Sequence, residues 1–432
     1  MASFDSSAAA QTSAGRVDGR KYLLVFGLVI SLFFLWGVAN NLNDILIRQF
    51  KKAFELSDFQ SGLVQSAFYL GYFVFAIPAA LFMRRFGYKG GIVLGLSLYA
   101  AGAFLFYPAA GARSYTFFLL ALFVIASGLS FLETSANPFV TVLGTADSAE
   151  RRLNLAQSFN PLGSITGVLI GRLFIFSGAE YTPDQLAAMP TAARAAFYTI
   201  ESQAAQQPYL IIGIVVAVLA LIFMAVRFPA VDQVATNASS RPAGGWRALA
   251  GNRRYAAAVL AQFFFVGAQI GLWSYLIRYA QGTVPGTPEK SAADYLILSL
   301  VLFTIGRFTG TALMKYVAPS RLLTLYAIAG VLLTATAIAV PGRTGLYALV
   351  CTSFFISIMF PTIFALGLRG VGEARKIASS LLVMAIVGGA VLTPLMGAVS
   401  GRAGIHWSMA VPLVCFLVIA GFAATHPRSS AG

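Results

Sequence analysis

Twelve stretches of about twenty predominantly apolar residues follow one another along this 432-residue chain, and no other feature constrains its fold as strongly. A helix rises 1.5 Å per residue, so about twenty such residues cross the roughly 30 Å hydrocarbon core of a bilayer. The stretches fall at 22–48, 59–83, 89–109, 114–143, 152–177, 208–227, 255–280, 293–315, 321–341, 345–368, 376–400 and 406–425. Hydrocarbon offers the backbone no partner, and a helix pairs its own N–H and C=O groups. The expected fold class is therefore an all-α integral membrane protein with twelve transmembrane helices. Composition agrees: 58% of residues are hydrophobic and 10% charged, where soluble domains carry about 25% charged residues. This excludes a disordered chain and argues against a water-soluble enzyme.

The formal net charge of +15 would suggest nucleic acid in a soluble domain. In a membrane protein the same excess reports orientation, because Lys and Arg stay in cytoplasmic loops. With the N-terminus inside, 19 basic residues fall on the cytoplasmic side and 9 outside, while Arg172 and Arg307 fall within spans. Both termini are expected in the cytoplasm, and no nucleic-acid partner is expected. Cys351 and Cys415 lie in apolar runs and suggest neither a disulfide nor a metal site.

Residues 1–21 read as a disordered tail without the core of a signal peptide. A first bundle spans 22–227, a Pro-, Ser- and Gly-containing linker 228–254, a second bundle 255–425 and a short tail 426–432. Leu46-Ile47-Arg48 recurs 230 positions later as Leu276-Ile277-Arg278, and Pro138, Gly144 and Arg152 recur as Pro361, Gly367 and Arg375. Such echoes at equivalent places suggest a duplicated six-plus-six arrangement, as in carriers whose halves rock about a central site.

Only two of the 15 acidic residues, Asp44 and Glu133, sit inside apolar runs. A central membrane charge costs at least about 2.5 kcal/mol, so such groups protonate, pair or face water. A carboxyl that binds a proton on one side and releases it on the other is what proton coupling requires. The structural alternative is an ion pair with Arg172 or Arg307. Asn40 and Asn41 share a helix face with Asp44; Ser130, Glu133, Asn137 and Thr141 share another; Asn154, Gln157, Asn160 and Ser164 a third. These stripes suit a polar cavity, and helix–helix hydrogen bonding is their simpler use. In the second half Gln262, Gln269 and Trp273, with Tyr275 and Tyr279 nearby, suit a sugar, which stacks on rings and bonds to amides; aromatic packing is the alternative. His406 and His426 lack partners for catalysis, and the Gly-Gly pairs lack the Lys and Ser/Thr of a phosphate loop, so an enzyme is not expected.

At these residues the chain resembles a known family. WGVANNLNDIL, SGLVQSAFYLGYF, LETSANPFVTVLG and RLNLAQSFNPLG, followed by GRFTGTALMKY, FPTIFALG and VGGAVLTPLMG, are similar to the L-fucose/proton symporters of the major facilitator superfamily, from about span 1 to span 11. The resemblance implies the major facilitator fold, two pseudo-symmetric six-helix bundles around a central sugar site. It implies proton coupling and substrate recognition by Asp44 and Glu133, and cavity-facing amides at Asn40, Asn41, Gln157 and Asn160. Two departures stand out. The segment Phe82 to Lys89 lacks the acid of the superfamily's usual charge-relay gate, and Met359 and Phe360 before Pro361 leave the sugar open.

The expected function is proton-coupled import of a monosaccharide, L-fucose or a related aldose, by alternating access at the bacterial inner membrane. Glu133 is expected to bind sugar and proton, and Asp44 to govern proton entry. The alternatives are a sodium-coupled glucose/galactose-type carrier, since Asp44 and Asn oxygens suit a hard cation, and a non-transporting sugar sensor. No cofactor is expected beyond the coupling ion. The expected partners are the sugar, protons and lipid, with the chain acting as a monomer.

Overall fold

The computed structural model describes residues 19–55, 58–175, 181, 183–228, 249, 251–287 and 289–425; a few further side chains, Asp44 and Arg172 among them, lie outside the description. The expected tails, up to residue 18 and from 426 to 432, and most of the expected linker at 228–254 also lie outside the described residues, while 19–21, read as the end of the first tail, begin a helix. Among the described residues there are sixteen α-helices and no strand.

The first half contains α1 (Gly19–Ala53), α2 (Asp58–Gly111), α3 (Tyr115–Val142), α4 (Ala149–Gln157), α5 (Asn160–Ile170), α6 (Pro183–Ala188), α7 (Thr191–Gln203) and α8 (Gln206–Ala225). The second contains α9 (Arg253–Thr283), α10 (Glu289–Leu313), α11 (Pro319–Ala339), α12 (Arg343–Ile356), α13 (Met359–Gly367), α14 (Arg375–Met384), α15 (Gly388–Ala403) and α16 (Ala410–Ala424).

Among the described residues eleven helical runs are long and apolar enough to cross a membrane, one fewer than the twelve expected spans. The difference lies in α2. Its 54 residues would extend about 81 Å if straight, far beyond a bilayer. Gly87 breaks the run with φ 72° and ψ −179°, a left-handed backbone that favours glycine. A side chain added at Gly91 would come within 2.8 Å of Met83, so the chain doubles back there. The expected second and third spans are the two limbs of this hairpin.

Capping and proline set other boundaries. Ser114 accepts from the Phe117 N–H at 3.3 Å and starts α3, and Asn252 accepts from Tyr255 at 3.1 Å and starts α9. The expected fifth span is broken between Gln157 and Asn160, just before Pro161, and ends in a π-helical turn, Gly171–Ile175. The tenth breaks before Met359, near Pro361, and the eleventh at the 3₁₀ turn Ala385–Val387.

Glycine lets particular pairs of helices touch backbone to backbone. A Cβ at Gly163 on α5 would strike the Phe34 carbonyl of α1, and one at Gly388 on α15 would strike the Phe263 carbonyl of α9. Phe34 and Phe263 stand 229 positions apart, close to the offset of the sequence echoes, so the two halves repeat one packing relationship. Outward-facing apolar side chains such as Phe73, Leu173, Ile211, Leu221, Leu332 and Leu417 are more than 40% exposed, as a lipid-facing surface requires.

Two basic residues close helix ends at one end of the bundle. Lys89 donates to the Met224 and Val226 carbonyls at 2.8 and 2.9 Å, below the last turn of α8. Arg152 donates to the Val140, Thr141 and Thr145 carbonyls at 3.3, 3.0 and 2.7 Å, at the end of α3. Both cations cap the negative ends of helices. This end of the bundle is called the basic end below.

Candidate functional site

The site is built on α3. From Ile125 to Thr141 its residues are buried, including Ser130, Glu133, Asn137 and Thr141. Glu133 is fully buried, and neither carboxyl oxygen has a hydrogen-bond partner. It lies nine residues before the end of α3, about 14 Å in from the basic end.

Two further helices bring unpaired polar groups to this region. Ser130 donates to the Tyr72 carbonyl at 3.0 Å, fixing the first limb of α2 against α3. The Tyr72 phenol is within electrostatic reach of Glu133 and faces the Trp36 indole on α1. The Tyr72 hydroxyl, Trp36 Nε1 and Asn40 Oδ1 are buried without partners. Each such group costs about 1–3 kcal/mol when left unpaired. Together they offer donors, acceptors and an aromatic face, the complement of a sugar's hydroxyls and C–H surface.

The broken fifth span changes the amide stripe read from the sequence. Spacings of three, three and four do not hold one face across the break. Asn154 Nδ2 donates to Thr362 Oγ1 at 3.1 Å, on α13 of the other half. Gln157 Nε2 donates to Asn137 Oδ1 at 2.9 Å, and its Oε1 accepts from Arg307 Nη1 at 3.3 Å. Asn160 Nδ2 donates to the Phe33 carbonyl of α1 at 3.2 Å. Asn41 donates to the Gly37 carbonyl of its own helix at 3.2 Å and packs beside Gly167 of α5. Asn137, one turn from Glu133, and Gln157 bonded to it thus share the Glu133 side of α3, while Asn40 keeps an unpaired oxygen one turn from Trp36 on α1 and the described bonds of Asn41 and Asn160 serve the α1–α5 seam.

Asp44 lies on α1 one turn beyond Asn40, and its side chain is outside the described residues. Along α1 it stands 22 residues from Tyr22, which lies within electrostatic reach of Arg152 at the basic end, about 33 Å by helical rise. The two membrane carboxylates therefore occupy different depths. Glu133 is not in an ion pair with Arg307, whose guanidinium instead reaches Gln157 and lies 4.9 Å from the centre of the Phe303 ring.

In the second half Gln262 is fully buried with both amide atoms unpaired, and Gln269 is half-buried. Trp273 donates its indole N–H to Ser353 at 3.1 Å and packs edge-on to Phe303. Tyr275 and Tyr279, read as part of an aromatic sugar face, donate to the Thr393 and Ala337 carbonyls at 3.4 and 2.7 Å and hold helices together.

The halves meet at the basic end. Arg369 pairs with the buried Glu150 at 2.6 Å. Arg375 donates to Thr141 at 3.0 Å, Lys376 to the Met83 carbonyl at 2.7 Å and Ser379 to the Thr134 carbonyl at 3.0 Å. Counting Arg375 and Lys376 as loop charges hides this seam in the sequence. Their place at the first turn of α14, beside a helix from the opposite half, is the missing information.

Two helical bundles that touch at one end, over a buried and unsatisfied polar site, define a membrane carrier. The chain belongs to the Major Facilitator Superfamily, whose family description matches residues 24–394. It is 48% identical over 412 residues to the L-fucose-proton symporter of Escherichia coli K12, covering 94% of each chain. It is 40% identical to the L-fucose-proton symporter of Haemophilus influenzae, covering 94% of this chain and 97% of that one. Glucose/galactose transporters of Brucella abortus are 36% identical, with 90% of each chain covered. Among solved structures, the superfamily transporter FucP in the outward conformation matches with a TM-score of 0.87 and 46% identity, over 95% of this chain and 100% of that chain. A proton:xylose symporter at 13% identity and a TM-score of 0.70 shares the fold.

Proposed function

We propose that this chain imports L-fucose, or a stereochemically related aldose, together with a proton. The observation that carries the reading is the Glu133 carboxyl, fully buried and unpaired within electrostatic reach of the Tyr72 phenol, in a chain 48% identical to an L-fucose-proton symporter. A carboxyl so placed is tolerable when protonated, and the sugar supplies the missing hydrogen bonds.

Glu133 binds the sugar and carries the proton. Asp44, nearer the far end of α1, passes protons between the outside and the cavity. Asn40, Asn137 and Gln157 line the sugar site from the first half, and Gln262, Gln269 and Trp273 complete it from the second. Asn41 and Asn160 hold α1 against α5 at its rim. The basic end lies in the cytoplasm of a bacterial cell, in the inner membrane, with both termini inside. The contacts at the basic end then keep the cytoplasmic side shut, so the structure is outward-facing, in keeping with its likeness to a transporter in that conformation. No cofactor takes part, the proton is the coupling ion, and one chain suffices.

The test is uptake into proteoliposomes with an acidic exterior. Labelled L-fucose should accumulate against its gradient, and unlabelled L-fucose should compete better than glucose or galactose. Stronger competition by glucose and galactose would move the chain to the other transporters it resembles, and accumulation that follows a sodium gradient at fixed pH would replace the proton as coupling ion.

A further inference from the structure

Gln157 sits between the halves with both ends of its amide engaged. Its carbonyl accepts from Arg307 of the second half, and its NH₂ donates to Asn137 Oδ1 of the first. That second bond fixes the Asn137 amide with its oxygen toward Gln157. Asn137 Nδ2 is then a buried donor without a partner, one helical turn beyond the unpaired Glu133 oxygens on the same face of α3. Residues four apart on a helix are within side-chain reach.

We infer that Asn137, Gln157 and Arg307 form a relay that lets the charge on Glu133 hold the two halves together at the basic end. The inference rests on the proposed role of Glu133 as the proton site. When Glu133 loses its proton to water, its carboxylate accepts from Asn137 Nδ2. The chain of bonds then runs from an anion through two aligned amides to a cation. Each donor points toward the anionic end, so the bonds strengthen one another. A neutral Glu133 gives the relay no anion, and the grip on Arg307 weakens. Proton binding thus frees the halves to part at the basic end, and proton release draws them back. Ligand and conformation are linked reciprocally in this way.

The other ionisable groups around α3 are engaged differently. Tyr72 faces Glu133 from α2. Tyr99 of the second α2 limb lies 3.5 Å from the Leu35 carbonyl. From α4, Glu150 pairs with Arg369 and Arg152 caps α3. From α14, Arg375 and Lys376 hold Thr141 and Met83. The Asp44 side chain of α1 is outside the described residues.

The experiment measures separation of the halves in lipid nanodiscs against pH. Spin labels are placed at exposed Phe86 and Tyr316, on opposite halves, with Cys351 and Cys415 replaced by serine. In the parent protein, raising the pH through the titration of Glu133 should enrich the joined state roughly tenfold. Glu133→Gln should abolish the response. Asn137→Leu, Gln157→Leu and Arg307→Met should each reduce it to twofold or less, while Arg307→Lys restores part of it. A mere packing role would lower stability without flattening the pH profile. If Glu133→Gln keeps the full response, the role of Glu133 is wrong. If that variant is flat but the three relay variants respond like the parent, the relay is wrong. Three separate breaks keep the test open should one variant fail to fold.

Discussion

Lys376, in the first turn of α14, donates its ammonium to the Met83 carbonyl on the first limb of α2, across the seam between the halves, at 2.7 Å. It is buried and lies 5.5 Å from the centre of the Tyr88 ring. The segment Phe82 to Lys89 has no acid to grip the opposite half. Here the opposite half supplies a cation, and the carbonyl end of a helix supplies the negative partner.

Replacing Lys376 with Met should therefore loosen the cytoplasmic seam. A buried carbonyl left without its charged donor costs about 1–3 kcal/mol, a shift of roughly five- to 150-fold toward the open state. Inter-half distances between labels at Phe86 and Tyr316 read this directly. An unchanged distance distribution would show that Lys376 is not part of the latch.

The Glu150–Arg369 pair should respond unequally to its two truncations. Glu150 is fully buried and Arg369 is 39% exposed. Arg369→Ala leaves a carboxylate buried alone, whereas Glu150→Gln leaves a cation that can reach water. Thermal unfolding should place Arg369→Ala below Glu150→Gln, with the double variant close to the latter. Equal losses would mean that the pair contributes little.

The backbone contacts predict which glycines tolerate a methyl group. Gly163→Ala and Gly388→Ala push against the Phe34 and Phe263 carbonyls and should each cost about 1–3 kcal/mol as overpacking. Gly27 and Gly421 have nothing within 4 Å of an added Cβ, so alanine there should be neutral. Detergent-solubilised melting temperatures separate the two classes.

Tyr72 should matter more to the sugar than Trp273 does. The Tyr72 hydroxyl is unpaired beside Glu133, while the Trp273 N–H is bonded to Ser353. Loss of one ligand hydrogen bond, about 1.4 kcal/mol, is tenfold in affinity. Calorimetric titration with L-fucose should show that loss for Tyr72→Phe and a smaller one for Trp273→Phe. The reverse order would move the sugar toward α9.

Much of the fold and part of the site are legible in the amino-acid sequence. Hydrophobic length marks the spans, because lipid-facing backbone must pair its own N–H and C=O groups in helices. The cost of a membrane charge singles out Glu133 against a background of apolar residues. What stays hidden depends on contacts between distant segments. The α2 hairpin turns on a single glycine conformation, and a hydropathy pattern does not report φ. The break before Pro161 sends Asn154, Gln157 and Asn160 to three different neighbours, which a uniform helical spacing does not show. Arg375 and Lys376 look like loop charges because burial depends on what packs against them. Tyr72 and Trp36 are indistinguishable from other membrane aromatics until α1, α2 and α3 are brought together.

Proton movement with the sugar is the most direct test of the reading. De-energised cells producing the chain, in weakly buffered medium, are given L-fucose while external pH is recorded. The expected result is prompt alkalinisation of the medium, absent with Glu133→Gln and independent of sodium. Entry of labelled L-fucose with no pH change, or alkalinisation as large in Glu133→Gln as in the parent, would contradict it.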